Sequence, residues 1–118
     1  FTVHALRQNG AQRCTLGTMI CFDREIPESV RCLRAMGAHL VACPLATDTA
    51  PLGAAALGGR ASNEVITRCR AAENEVFIAV VNHAGQFNGG SFVVGPEGEV
   101  LTQMGQSPGV EVVDIPVQ

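Results

Sequence analysis

The chain has 118 residues, 47% of them hydrophobic and 16% charged, with a formal net charge of −3. That suits one domain with a modest core and rules out disorder. Charge is scarce beside the roughly 25% of an ordinary soluble domain, so part of the outer face reads as meant for burial against a partner. No apolar run reaches the roughly 18 residues of a membrane helix, and an acidic chain with no basic patch is a poor match for nucleic acid.

In chain order, residues 3–6 make a short strand ending at the Asn9-Gly10 turn. A second strand is expected over 14–21, mostly apolar, with Thr and Ile that fit a sheet interior. Residues 23–36 read as a loop and then a helix. Pro27 suits the first helical position, Glu25 and Glu28 suit the positive end of the dipole, and Gly37 suits the stop. Ile26, Val30, Leu33 and Gly37 fall on one face of that helix. A third strand covers 39–43 and is closed by Pro44, and the Ala/Gly/Pro-rich stretch 45–59 reads as an irregular loop. The second helix is expected over 60–75, where Ala61, Val65, Cys69, Ala72 and Val76 recur every three or four residues and Glu64 and Arg68 form an i,i+4 pair. Residues 76–81, V-F-I-A-V-V, carry the mark of a strand covered on both faces. Strands at 91–94 and 99–103 flank the turn Gly95-Pro96-Glu97-Gly98, and a last strand is expected at 111–115. The order β-β-α-β-α-β-β-β-β gives an α/β fold with a mixed sheet. Two helices cannot cover about seven strands on both faces, so the sheet is expected to stay partly uncovered without a partner.

Five cysteines (Cys14, Cys21, Cys32, Cys43, Cys69) are scattered, with no C-x-x-C spacing for zinc and an odd count ill suited to a disulfide scaffold. They imply a reducing, intracellular (cytoplasmic) setting in which most thiols are inert core residues; no metal or cofactor is expected. All eight basic residues are arginine. Without lysine there is no phosphate-binding P-loop, and the paired glycines read as turns.

Cys21 stands apart. It lies where an apolar strand gives way to a loop and a Pro-started helix, a position that lifts a side chain out of the sheet beside free backbone N–H groups. The acids Asp23, Glu25 and Glu28 outnumber Arg24 around it, a neighbourhood that disfavours a thiolate and calls for a cation from elsewhere.

The segment 17–28, G-T-M-I-C-F-D-R-E-I-P-E, resembles the nucleophile motif of the nitrilase superfamily of carbon–nitrogen hydrolases. Further segments agree in order. G-A-H-L-V-A-C-P at 37–44 is similar to the family's G-A-[DE]-hydrophobic-P segment, and R-A-A-E-N at 70–74 to its R-A-x-E-N helix end. Asn82 to Gly85, and then G-S-F-V-V-G-P-E-G-E-V at 90–100, resemble its N-x-x-G and G-x-S…P-x-G-E-V segments. The resemblance implies an α-β-β-α sandwich and a Glu–Lys–Cys triad. The cysteine forms a thioester with a nitrile, amide or N-carbamoyl substrate, and water then hydrolyses it. By position Cys21 matches the nucleophile and Phe22 the backbone N–H that holds the oxyanion. Asp23 and Glu28 would support the elbow, and Glu73 and Asn74 would border the pocket or cap their helix. The triad glutamate and lysine have no counterpart here. Residues 1–118 are thus expected to be a single partial carbon–nitrogen hydrolase domain lacking its N-terminal half, inactive alone, and a homo-oligomer in full-length form. Two rivals stand beside this reading: a non-catalytic interaction module that keeps the fold, and a self-contained hydrolase pairing Cys21 with His83. His4 and His39 read as structural.

Overall fold

A computed structural model describes residues 1–46, 62–87 and 89–117. Six strands form one sheet in sequence order: β1 (Val3–Gln8), β2 (Ala11–Thr18), β3 (Leu40–Leu45), β4 (Phe77–Asn82), β5 (Phe92–Val94) and β6 (Val100–Gln103). Helices α1 (Pro27–Ala35) and α2 (Ser62–Asn74) make the crossovers into β3 and β4. β2, β3 and β4 are therefore parallel, while β1, β5 and β6 join antiparallel through turns. The mixed α/β sheet is the one the element order implies.

Both helices lie on one face. Val30 and Leu33 of α1 and Ala71 of α2 share an apolar cluster with Val41, Cys43, Ile78, Val80, Phe92 and Val94, which alternate along their strands toward that face. Gly17 is where the sheet comes closest to α1: a Cβ there would sit 3.2 Å from both Leu33 and Ala38. Pro27 occupies the first turn of α1 with Glu28 beside it, and Gly37, at φ +93, ends it. Gly98, at φ +80, closes the β5–β6 turn by donating to the Gly95 carbonyl at 2.9 Å, and Arg68 Nε donates to its carbonyl at 2.6 Å.

The structure revises several expectations. β2 ends at Thr18 rather than reaching Cys21. β3 runs through Pro44 to Leu45. The reason is parity: Ala42 accepts from Met19 N–H at 3.1 Å on the β2 side, Pro44 faces the same side, and β2 has already left the sheet there. The missing N–H therefore breaks no ladder bond. Residues 111–115 form no strand. Gly105, Pro108 and Gly109 turn the chain out of the ladder, and Glu111 and Val113 lie beside Ala79, Val81 and Val93 in a shallow cavity of about 90 Å³. Of the apolar stripe expected to bury α2, Cys69 and Ala72 are exposed and Val65 is half-buried, while Val76, just past the helix end, is fully buried in the core cluster. The inward residues are Asn63, Thr67, Ala71 and Asn74. Most of the loop expected over 45–59, from residue 47 onward, and the expected helix start at Arg60 and Ala61 lie outside the described residues.

Candidate active site

The carboxyl ends of parallel strands are where α/β sheets place their sites, and there the chain leaving β2 folds into a 3-10 turn, Cys21–Glu25. Cys21 opens the turn with φ +46, a left-handed conformation that costs an L-residue about 1–2 kcal/mol. Two bonds close the bend: Asp23 N–H donates to the Ile20 carbonyl at 3.0 Å, and Ile20 N–H donates to the Asp23 carboxylate at 2.9 Å. Cys21 is half-buried and packs against the core cluster. The Phe22 side chain is exposed, and its N–H donates to no backbone carbonyl outside the turn among the described residues. The left-handed Cys21 and the adjoining Phe22 N–H thus both lie in the turn at the carboxyl end of β2.

The turn is anchored from α2. Arg24 is only 2% exposed; its Nη2 donates to Glu25 Oε1 at 3.0 Å and to Asn63 Oδ1 at 2.6 Å, while Nε and Nη1 have no hydrogen-bond partner among the described residues. Arg70 reaches across with Nε to the Arg24 carbonyl and Nη2 to the Glu25 carbonyl, each at 3.1 Å, and its Nη1 meets Glu73 Oε1 at 3.1 Å. Charge-assisted donors to two successive carbonyls hold a turn far more firmly than surface pairing does.

Of the residues singled out from sequence, Cys21, Phe22 and Asp23 share one turn, and Glu73 is linked to it through Arg70. Asn74 is buried but bonds locally, Nδ2 to the Arg70 carbonyl at 2.9 Å, and Glu28 is exposed in the first turn of α1. Two residues that sequence reasoning passed over are central. Arg70 lies 46 and 45 positions from the carbonyls it holds, so a count of neighbouring charges could not find it; its place in the R-A-x-E-N motif was the available signal. Cys43 is 1% exposed on the helix-facing side of β3, and burial pushes its thiol up to about 11 despite the opposing pull of the Arg24 guanidinium.

The Cys21–His83 pairing finds no geometry here. His83 is exposed at the end of β4, edge-on to Phe87 with centroids 6.2 Å apart, and no hydrogen bond joins it to Cys21. β3 separates the two strand ends, a gap of roughly two strand spacings, ~10 Å. Asn82 instead ties its own loop down, with Nδ2 donating to the Phe87 and Gly89 carbonyls at 3.0 and 2.8 Å. A cavity of about 260 Å³ beyond β4 is lined by Asn82, Ser91, Met104 and Glu111 among others, and Cys21 is not in its wall. His39 is structural: its Nδ1 accepts from Thr15 N–H at 3.1 Å where β2 meets β3. Among the described residues no cluster of three or more His, Cys, Asp or Glu could hold a metal ion, and no helix is long and apolar enough to cross a membrane.

Comparison with known proteins places this arrangement. The family model for carbon–nitrogen hydrolases matches residues 3–118. An (R)-stereoselective amidase of Pseudomonas sp. is 32% identical over 106 residues, 85% of this chain and 36% of that protein. The structure of a mutant amidase from Nesterenkonia sp. AN1, which shows Michael addition of acrylamide at its active-site cysteine, superposes with TM-score 0.73 at 38% identity, covering 97% of this chain and 42% of the other. The same mutant of that amidase, with the acetamide moiety of fluoroacetamide added covalently at the active-site cysteine, gives TM-score 0.69 at 36% identity over 91% of this chain and 38% of the other. The chain spans about a third of the length of the curated relatives it matches. With the nucleophile-motif segment, the sheet order and these matches in agreement, the chain belongs to the carbon–nitrogen hydrolase family of the nitrilase superfamily.

Proposed function

We propose that the protein cleaves a non-peptide carbon–nitrogen bond, an amide before a nitrile or N-carbamoyl group, with Cys21 as nucleophile. The thiolate attacks the carbonyl carbon, the amine departs, and water releases the acid from the thioester. The Phe22 N–H receives the oxyanion. Asp23 keeps the bend closed, and Glu73, through Arg70, steadies its far end, with Asn74 and Glu28 fixing the adjoining helix ends. General base and cation come from a glutamate and a lysine outside these 118 residues, which contain no lysine. The observation that carries the reading is the strained, half-exposed Cys21 beside the Phe22 N–H at the carboxyl end of β2. The preference for amides rests on similarity to an (R)-stereoselective amidase and to a second amidase whose active-site cysteine takes up acrylamide and the acetamide moiety of fluoroacetamide.

The test joins this chain to the lysine-bearing N-terminal portion of a homologous amidase and maps fluoroacetamide adducts by mass spectrometry. The expected result is an adduct on Cys21 in the joined protein and little in the 118-residue chain alone. Adducts confined to the exposed Cys32 and Cys69 in a folded joined protein would contradict it.

A further inference from the structure

Cys43 is a buried thiol beside the elbow that the proposed hydrolysis leaves unused. The two cysteines are brought together by the same bend that strains Cys21. Met19 N–H bonds the Ala42 carbonyl, so the chain leaving β2 runs alongside β3 as far as Cys43 before turning back. The 3-10 turn packs on β3, and Cys21 rests against the cluster that contains Cys43. The backbone and the thiol of Cys21 both bear on the protonation of Cys43, with opposite signs. One thiol is half-exposed and the other is buried. The remaining cysteines are placed differently: Cys14 is buried on β2 near Leu40, and Cys32 and Cys69 are exposed on the helices.

We propose that Cys21 and Cys43 form a peroxide-responsive pair that closes a disulfide and takes the elbow thiol out of use. The pairing does not depend on the hydrolase reading; only its consequence for turnover does. In the first step the Cys21 thiolate attacks a peroxide oxygen, the O–O bond breaks, and hydroxide (or alkoxide) leaves. Sulfur is oxidised to the sulfenic acid and the peroxide is reduced. In the second step the Cys43 sulfur attacks the Cys21 sulfur. The S–S bond forms, the S–O bond breaks, and the departing hydroxide takes up the Cys43 proton as water. Cys43 waits protonated, since burial, with Cys21 and Asp23 adding to it, outweighs the Arg24 guanidinium and the Cys21 backbone. Closure therefore quickens as pH rises toward 11. A reversible disulfide spares Cys21 the irreversible sulfinic state.

The experiment treats the chain, joined to the lysine-bearing N-terminal portion of a homologous amidase, with hydrogen peroxide, blocks free thiols and maps linkages without reduction, using tandem mass spectra that separate Cys14 from Cys21. The expected product is a Cys21–Cys43 linked peptide short of two hydrogens, from which dithiothreitol restores both thiols. In Cys43→Ser the restorable fraction is lost and Cys21 proceeds to the sulfinic acid. Wild-type Cys21 going straight to sulfinic acid, or linking to Cys14 instead, would overturn the proposal. That reading is taken on the unsubstituted chain and stands even if the serine variant fails to fold.

Discussion

Alternate residues of β4 live in two different surroundings. Ile78 and Val80 are 0% and 1% exposed beneath the helices, whereas Val81, on the opposite face, is 63% exposed. Nothing in the run V-F-I-A-V-V separates them, because both faces are apolar and the sheet period merely deals them out in turn. The helix-covered side is a finished core. The other side, with Leu16, Leu40, Ala42, Ala79 and Val93 half-buried and Phe77 8% exposed, has the composition of an interior but only partial cover. The difference teaches that an apolar strand reports what it is built to be buried against, not what this stretch of chain alone supplies.

Breaking the covered side should cost most. Ile78→Ala leaves a cavity among Val41, Val80 and Val94 and is expected to lower stability by about 2–5 kcal/mol, read as a shift of the urea midpoint. Arg70→Ala removes both donors to the elbow carbonyls and should cost about 1–3 kcal/mol. A haloacetamide labelling rate at Cys21 that changes with it, while that at Cys32 does not, would tie the loss to the bend. Burial of Cys43 predicts an alkaline limit. Its folded value of about 11 lies above its ordinary 9.0, so the folded state holds the proton more tightly. The associated stability is complete below pH 9 and is lost as pH climbs to about 11. The loss is on the order of 2 kcal/mol; Cys43→Ala should flatten that part of the pH–stability curve. The smallest effect belongs to the open side: Val81→Ser should stay within about 0.5 kcal/mol in this chain, and a cost like that of Ile78→Ala would erase the contrast between the faces.

Much of the fold was legible. The α/β order, Pro27 and Gly37 bounding α1, and the Gly95–Gly98 turn follow from local chemistry that acts within a few residues. Where reading failed, the deciding partner was distant. Cys69 and Ala72 of the α2 stripe point outward because the inward face is mostly polar, with Asn63 serving the buried Arg24 and Thr67 Oγ1 bonding the Asn63 carbonyl at 2.6 Å. Hydropathy periodicity is blind to a helix that packs on a charge. Residues 111–115 alternate like a strand, yet they do not add to the outer edge of β6, and Thr102 Oγ1 of β6 donates instead to the Glu111 carboxylate at 3.3 Å. At the site, the bend at Cys21 was readable from its motif, but the grip of Arg70 and the closeness of Cys43 are products of the crossovers, which no window of sequence spans.

The most direct measurement is ammonia release from a short aliphatic amide by this chain joined to a lysine-bearing amidase N-terminal portion, with and without Cys21→Ser. Release by the joined protein that disappears with Cys21→Ser is the predicted result. Equal release by the folded serine variant would contradict the assignment of the nucleophile.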